Sequence, residues 1–321
     1  ARNWATVPLT YEGGPLPSAF ITSVDVSEEG EVFFSWMNLC FVGVVSVDDI
    51  VGSVAVGAST VDADAVDMCP PFSELEDIGW VHHPKVAVSA DRVLFLANSS
   101  WGAELGADRN VGQFRIDLSQ LPEITELQSL TFDQESNRYY AIGRTRDTKL
   151  LLVAHAIEDS VVVFGPLGGD PLTASGLGRA KLVMFGHLLA VLNSEIIDTG
   201  STVPREMFKP GPVTLSIYDR AGNLKESFNL DHSGTRLADV GSGNSLQRLG
   251  DRLFVKVGAR VWLYDNANLR KVFEDDELQG WPAAITEKGI RVLPVAARGR
   301  WLGITDFCRS SSDRSGDADE V

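Results

Sequence analysis

The chain repeats one local pattern along most of its 321 residues. Each copy has a short apolar strand, a tight turn, and a second apolar strand, as in residues 130–142. The turns are built on Gly, Asp or Asn, which tolerate the positive φ that tight turns need. A copy of this kind cannot bury its apolar face alone, so the repeat predicts small sheets packed one against the next. The turns fall at Gly30, Asp91, Asn137, Gly186, Asp251 and Gly289.

A second hairpin follows each copy and gives the repeat four strands. The clearest examples are residues 213–228 and 261–273, where apolar residues alternate with polar ones on both sides of a turn that contains Asn. The repeat length is about 50 residues, which is typical of a four-stranded propeller blade. The sequence therefore predicts an all-β fold, a single β-propeller of about six four-stranded blades over residues 1–308.

This repeat pattern resembles the group of six-bladed β-propellers that includes the NHL-type and TolB-like proteins of bacterial envelopes. The resemblance covers nearly the whole chain and consists of the repeat pattern; the sequence has no Gly-His and Trp-Asp pair in each blade. It implies a ring of sheets around a central channel. The sixth copy has one further strand, residues 301–307, so we expect residues 4–9 to supply its outer strand and close the ring.

Two stretches interrupt the repeat and are predicted to be loop insertions. Residues 52–80 follow the first blade, and residues 194–212 interrupt the fourth. Loops on a rigid scaffold commonly carry recognition. Residues 309–321 are rich in Ser, Asp and Gly and are predicted to form a disordered acidic tail.

The chain is strongly acidic, with a net charge of −16. Such a surface repels phosphate groups, which argues against nucleic-acid binding and against adhesion to anionic lipid. It is compatible with a basic protein partner, with bound cations, or with solubility alone. The longest apolar stretch, residues 39–58, contains Asp48 and Asp49, so the sequence predicts no transmembrane segment.

The cysteines leave two interpretations open. Cys40 lies in an apolar run, and Cys69 ends a polar stretch, so a Cys40–Cys69 disulfide would tie the first insertion to its blade in an oxidising compartment. Three buried thiols, with Cys308 as the third, are the alternative. The chain begins at Ala1, which suits a processed protein whose signal has been removed or a shortened chain. We therefore expect a secreted, periplasmic or envelope-associated protein.

Three aspartates in the first insertion suggest a calcium site. Asp62, Asp64 and Asp67 would offer the carboxylate oxygens that a hard cation prefers. They lack the central glycine and the closing glutamate of an EF-hand loop, and a solvated acidic loop is the alternative. Ca²⁺ is therefore the one cofactor that the sequence suggests.

Residues shortly before the inner strands are candidates for binding at the mouth of the channel. His82 and His83 could hold a metal or move protons, and Asn244 occupies a comparable place. Trp80 and Trp281 would offer a platform for a sugar or a peptide if they are exposed. Packing between blades is the alternative for all of them.

The sequence contains no nucleotide-binding loop and no nucleophile elbow. We therefore expect a non-enzymatic interaction module that binds a protein partner or is one subunit of a larger assembly. A metal-dependent hydrolase or lactonase is the first alternative, with Asn244, Asp239 and His82 as candidate ligands of a divalent cation. A glycan-binding lectin that uses Trp80 and Trp281 is the second.

Overall fold

Short strands joined by tight turns make up nearly all of the structure. The computed structural model of the protein describes residues 9–11, 14–15, 21–36, 38–69, 81, 84–89, 92–158, 161–167, 178–204, 206–237, 239–250, 252–280, 283–286 and 289–292. Within these ranges the helical elements are α1 (Val47–Ala55), a π-helical turn (Asp239–Gly243) and a 3-10 helix (Asp276–Leu278).

In chain order, the strands up to residue 117 are β1 (Leu9–Tyr11), β2 (Gly14–Pro15), β3 (Ile21–Val26), β4 (Glu31–Trp36), β5 (Phe41–Ser46), β6 (Val61–Asp62), β7 (Asp64–Asp67), β8 (Lys85–Ser89), β9 (Arg92–Leu96), β10 (Trp101–Leu105) and β11 (Val111–Asp117). Those that follow are β12 (Ile124–Asp133), β13 (Arg138–Thr145), β14 (Leu150–Glu158), β15 (Val161–Val163), β16 (Gly165–Pro166), β17 (Arg179–Phe185), β18 (Leu188–Asp198), β19 (Phe208–Asp219), β20 (Leu224–Leu230), β21 (Ser245–Leu249), β22 (Arg252–Val257), β23 (Arg260–Asp265), β24 (Asn268–Glu274), β25 (Ala283–Thr286) and β26 (Gly289–Val292).

The described strands form five blades arranged in a ring. Blade 1 is β3-β4-β5-β7, blade 2 is β8-β9-β10-β11, and blade 3 is β12-β13-β14 with the short β16. Blade 4 is β17-β18-β19-β20, and blade 5 is β21-β22-β23-β24. The first strands of consecutive blades contact one another, and β25, which pairs with β26, contacts both β21 and β3. The prediction of an all-β propeller is confirmed.

The hydrophobic core lies between the blades. In β13, Tyr139 and Ala141 pack on blade 2, whereas Tyr140 and Ile142 pack on blade 4. Successive side chains of a strand point to opposite faces, so a strand with a blade on each side buries both sets. Comparable clusters lie between blades 1 and 2 and between blades 4 and 5. A blade is therefore stable only beside its neighbours, as the sequence repeat predicts.

Polar side chains also connect the first strands of neighbouring blades. In four places a side chain near the end of one first strand accepts a hydrogen bond from a backbone amide of the next, over 2.8–3.3 Å. These contacts satisfy amides that would otherwise be left unpaired in the interior. They join Val88 to Asp25, Phe132 to Ser89, Met184 to Thr131, and Ile285 to Gln247.

Blade 1 takes its fourth strand from a stretch that the sequence predicts to be a loop. Residues 52–80 are predicted as an insertion, but β6 and β7 lie within it, and β7 pairs antiparallel with β5. Helix α1 leads from β5 towards these strands, and its start is capped by the Ser46 hydroxyl, which accepts a hydrogen bond from the Asp48 amide at 3.1 Å. The prediction of a loop is therefore wrong for this part of the insertion. The sequence did not indicate these strands because they are too short to show an alternation of apolar and polar residues.

Cys40 and Cys69 form a disulfide, with their Cα atoms 5.5 Å apart. Cys40 comes just before β5, and Cys69 follows β7, so the bond ties the third strand of blade 1 to the fourth. This confirms the disulfide interpretation for the pair. Cys308 lies outside the described residues.

Strand β15 joins blades 2 and 3 at their outer edges. It pairs parallel with β11, where Val161 lies opposite Arg115, and antiparallel with β14, where Val161 lies opposite Glu158. An added strand covers the exposed amides and carbonyls of the blade 2 edge.

The second predicted insertion is also built from strands. Residues 194–212 are predicted as a loop, but β18 and β19 continue through them as one hairpin, and Ile197 still pairs with Lys209. We call residues 195–204 and 206–211, which reach beyond the end of the blade, the arm. The prolines at positions 204, 210 and 212 made this stretch resemble a loop, although Pro210 lies within β19 opposite Ile196.

The N-terminal strand differs from the prediction where the structure describes it. Residues 4–9 are expected to close the last blade, but Leu9 belongs to β1, which pairs parallel with β6 beside blade 1. Leu9 packs there on the apolar cluster that contains Val61. Residues 4–8, residues 301–307 and the tail 309–321 lie outside the described residues. Among the helices of the described ranges, none is long and apolar enough to cross a membrane.

Candidate functional site

The first strands of the blades run in the same direction around the ring. On β12, Gln128, Ser129 and Thr131 accept hydrogen bonds from amides that follow in the same order on β17. All first strands therefore begin on one side of the ring, which we call the N-terminal face, and end on the other, the C-terminal face.

The N-terminal face carries a group of charged side chains from three blades. We call it the basic cluster; its members are Lys85 of β8, Arg144 of β13, Arg179 of β17 and Glu126 of β12. Lys85 and Arg179 each open the first strand of a blade, and Arg144 is paired with Glu126 across blade 3. The packing of three consecutive blades brings these residues together.

Glu126 is shared by the three cations. Its Oε1 lies 3.4 Å from Lys85 Nζ and 3.0 Å from Arg179 Nη1. Its Oε2 lies 3.7 Å from Arg144 Nε. The cluster thus holds three positive charges and one negative charge.

Backbone carbonyls hold two of the cations in place. Lys85 Nζ donates a hydrogen bond to the Leu127 carbonyl at 2.5 Å. Arg144 Nη2 donates to the carbonyl of Gly178, which directly precedes β17. Because these carbonyls belong to blades 3 and 4, the cluster is fixed by the ring and not by its own side chains alone.

The environment shifts the ionisation of the cluster. Burial lowers the pKa of Lys85 to about 8; the charges of Arg179 and Arg144 act in the same direction, and Glu126 opposes them. Burial alone would raise the pKa of Glu126, but the three cations outweigh it and hold that pKa below its usual range. The cluster is therefore cationic at neutral pH, with a proton on Lys85 that is held less tightly than in water.

A buried amide adjoins the cluster. Gln128, which is 3% exposed, accepts a hydrogen bond through Oε1 from the amide of Ala180, the residue after Arg179. Its Nε2 has no hydrogen-bond partner among the described residues. A buried amide donor of this kind costs free energy unless some partner meets it.

The arm rises from the same face. Arg179 pairs with Ser194 at the point where the arm begins, and the backbone of Ser194 and Glu195 packs directly against Gly178. Two apolar side chains of the arm are exposed: Ile197 by 38% and Val203 by 49%. The N-terminal face thus combines a cationic centre with an apolar projection at its rim.

The C-terminal face carries Asp25, near the end of β3. Burial raises the pKa of Asp25 to about 6, while hydrogen bonds from the Val88 and Val26 amides and the charge of Lys181 limit the rise. A cavity of about 30 Å³ lies beside Asp25 and is lined also by Glu28 and Arg248. That volume is room for about two water molecules.

Asn244 and Asp239 are buried between blades 4 and 5. Asn244 donates to Ser194 Oγ at 2.9 Å and accepts from the Gly258 amide at 3.0 Å. Asp239 and Lys256 are both 0% exposed, and their charged groups lie 3.6 Å apart. Burial lowers the pKa of Lys256 to about 8, and Asp239 opposes this. These contacts account for both residues as parts of the packing between the two blades.

The predicted calcium ligands are exposed and spread over two strands. Asp62 lies in β6, where its carboxylate accepts a hydrogen bond from the Thr10 hydroxyl at 2.8 Å. Asp64 and Asp67 lie at the two ends of β7. Within the described residues, no group of three His, Cys, Asp or Glu side chains is placed to hold a metal ion.

Four further candidates, Trp80, His82, His83 and Trp281, lie outside the described residues. Sequence reasoning missed the basic cluster altogether. A signal was present: Lys85 opens a predicted inner strand and Arg179 directly precedes one, in a chain with 44 acidic and 28 basic residues. Arg144 and Glu126 offered no such signal, because their meeting depends on the pairing of β12 with β13.

Comparison with known proteins places the chain in no family. No family model matches it, and no curated protein matches it significantly. Among solved structures it is similar to a streptogramin B lyase, with a TM-score of 0.47 and 9% identity over 86% of this chain and 91% of that chain. A protein of unknown function from Bacteroides thetaiotaomicron gives a TM-score of 0.48 and 12% identity, over 82% of this chain and 61% of that chain.

A chain of a mitotic checkpoint complex gives a TM-score of 0.43 and 11% identity, over 86% of this chain and 72% of that chain. At such identities and TM-scores these likenesses carry nothing about activity, ligands or partners.

Proposed function

We propose that the protein is a non-enzymatic interaction module that binds a segment of a partner protein on its N-terminal face. The observation that carries this proposal is the joint position of the basic cluster and the arm. Binding sites commonly combine an apolar contact surface with a few fixed polar or charged groups. The N-terminal face offers both on one rigid ring.

The rigidity of the ring supports this function. The cluster residues come from three blades whose first strands are connected by buried side chains and hydrogen bonds, as at Lys85 and Leu127. A preformed site loses less entropy on binding than a mobile one. No contact among the described residues favours the hydrolase or the lectin over this function, and Asn244 and Asp239 are engaged in packing.

We also propose that β25 and β26 are the inner half of a sixth blade, completed in part by residues 4–8. The hydrogen bond from Ile285 to Gln247 repeats the contact between Met184 and Thr131 at another blade boundary. Removal of residues 1–8 is then expected to lower the Tm by several degrees, whereas removal of residues 309–321 should leave it unchanged. Equal Tm values for the two truncations would contradict a sixth blade closed in this way.

The Cys40–Cys69 disulfide supports a secreted, periplasmic or envelope-associated location, because such bonds persist in oxidising compartments. Partial alkylation of the protein taken directly from its native cells tests this. An oxidised pair is expected, and a freely alkylated pair would contradict it.

Selection of binders from a random peptide library tests the main proposal. Peptides selected on the wild-type protein are expected to lose affinity by at least about fivefold on a Val203→Asp variant, since an apolar contact on the arm is replaced by a charge. Val272→Asp is the matched control, because Val272 is 40% exposed on β24, at the outer edge of blade 5. Selected peptides that bind both variants as they bind the wild type would overturn the proposal.

A further inference from the structure

We propose that the basic cluster binds a carboxylate, so that the segment recognised on the N-terminal face is an acidic run of Glu or Asp residues. This inference rests on the proposed function, because it names the chemistry of the segment that the same face receives. It concerns Lys85, Arg144 and Arg179 together with Gln128.

The charge balance of the cluster is the first argument. Three cations surround one carboxylate in a protein whose total charge is −16. A second anion that enters would pair with cations whose charge Glu126 balances only in part. The acidic surface elsewhere is screened beyond about 8 Å at physiological salt.

Two of the three cations are partly exposed. The Arg179 side chain is 35% exposed and the Lys85 side chain 22% exposed, so both can be reached from the N-terminal face. A guanidinium carries five N–H donors in a planar fork. Among the described residues, Arg179 donates to Glu126 through Nη1, at 3.0 Å.

Gln128 supplies a buried donor that no described residue meets. Its Nε2 is buried beside β17 without a hydrogen-bond partner among the described residues. A carboxylate has enough lone pairs to accept from this amide and from a guanidinium at once.

Binding of a labelled peptide measures the proposal directly. The probe is fluorescein-Gly-Glu-Glu-Glu-Gly, followed by fluorescence anisotropy, and its neutral counterpart carries Gln in place of each Glu. The wild type is expected to bind the Glu peptide at least about tenfold more tightly, since hydrogen bonds to charged groups are roughly twice as strong as neutral ones. Equal affinity for the two peptides would overturn the proposal.

Arg179→Gln is expected to weaken binding of the Glu peptide about tenfold. Arg270→Gln is the charge-matched control, because Arg270 is exposed on β24 and the substitution changes the net charge by the same amount. Equal weakening in both variants would show that only the overall charge matters and would contradict a specific site.

Glu126→Gln provides a test that misfolding cannot imitate. This substitution removes the carboxylate that competes for all three cations, so the Glu peptide is expected to bind several-fold more tightly than to the wild type. Unchanged or weaker binding by a folded Glu126→Gln variant would show that the cluster only joins blades. This variant decides the matter if Arg179→Gln fails to fold.

Two further experiments distinguish a carboxylate from other ligands. Sodium phosphate and sodium acetate at equal ionic strength compete with the Glu peptide, and acetate is expected to compete at least as well; stronger competition by phosphate would overturn the carboxylate assignment. Selected library peptides that depend on Val203 but lack acidic residues would preserve the proposed function and refute this inference.

Discussion

The Asp25 carboxylate of β3 accepts a hydrogen bond from the Val88 amide of β8 at 2.8 Å. The contact joins the first strands of blades 1 and 2, and it places an ionisable group in the interior of the ring. Equivalent positions on other first strands carry the uncharged side chains of Thr131 and Gln247. Among the four connections of this kind in the described residues, this one therefore depends on pH.

Asp25→Asn should remove part of the pH dependence of folding. Burial raises the Asp25 pKa from 3.8 to about 6, so the folded state holds its proton more tightly than the unfolded state does. The contribution of Asp25 to stability is then greatest below pH 4 and falls as the pH rises towards 6. Between pH 4 and pH 7 the free energy of unfolding of the wild type should fall by about 2 kcal/mol relative to that of the variant.

Urea unfolding of both proteins at a series of pH values measures this difference. The Asn side chain retains an oxygen that can accept from Val88, so the variant is expected to fold. Parallel stability curves for wild type and variant would show that Asp25 has an ordinary pKa.

The disulfide makes a second prediction. Cys40 and Cys69 are 29 residues apart, and closing a loop of that length stabilises a protein by about 3.5 kcal/mol in the chain-entropy model. The double variant Cys40→Ser, Cys69→Ser should therefore unfold at lower urea concentration, and reduction of the wild type should have a similar effect. A reductant that destabilises the double variant as much as the wild type would refute this account.

A third prediction concerns the buried pair of Lys256 and Asp239. Lys256→Met leaves the Asp239 carboxylate buried without its cation, which typically costs about 3–5 kcal/mol. Lys225→Met is the control, because Lys225 is 51% exposed and pairs with Asp219 at 3.0 Å on the surface. Its expected cost is below about 1 kcal/mol. Similar losses in free energy of unfolding for the two variants would contradict the burial of the pair.

Lys85 makes binding depend on pH. It is faced by Glu126 from β12, Arg144 from β13 and Arg179 from β17, and burial lowers its pKa to about 8. Lys85 therefore loses its proton as the pH rises from 7 to 9, and the affinity for the Glu peptide should fall several-fold over that range.

Lys85→Arg keeps the charge throughout this range and should flatten the pH profile. This control is needed because burial also lowers the pKa of Lys181, which lies two residues after Arg179, to about 8. A profile that keeps its full slope in Lys85→Arg would assign the titration to another group.

The blades could be predicted from sequence because their signals are local. Gly30, Asn137 and Gly186 have positive φ angles of 86°, 50° and 57°, as expected for the turns that separate the repeated strands. Both faces of strands such as β13 are buried, and this appears in the sequence as nearly continuous apolar runs.

The candidate site could not be predicted in the same way. Lys85, Arg144 and Arg179 lie in three different blades and meet only because consecutive blades pack side by side. The arm could not be predicted for another reason. Pro210 and its neighbours are typical of loops, and the pairing of Ile197 with Lys209 appears only in the folded hairpin. Composition also pointed away from a cationic site, since a net charge of −16 conceals a local excess of basic residues.

Hydrogen–deuterium exchange with and without the Glu peptide tests the central claim most directly, because it locates the ligand without any substitution. We predict slower exchange in the peptic fragments that contain residues 85–86, 126–127 and 179–180, and in the arm. Protection confined to the C-terminal face around Glu28 and Arg248, or to the outer strands β20 and β24, would contradict binding at the N-terminal face.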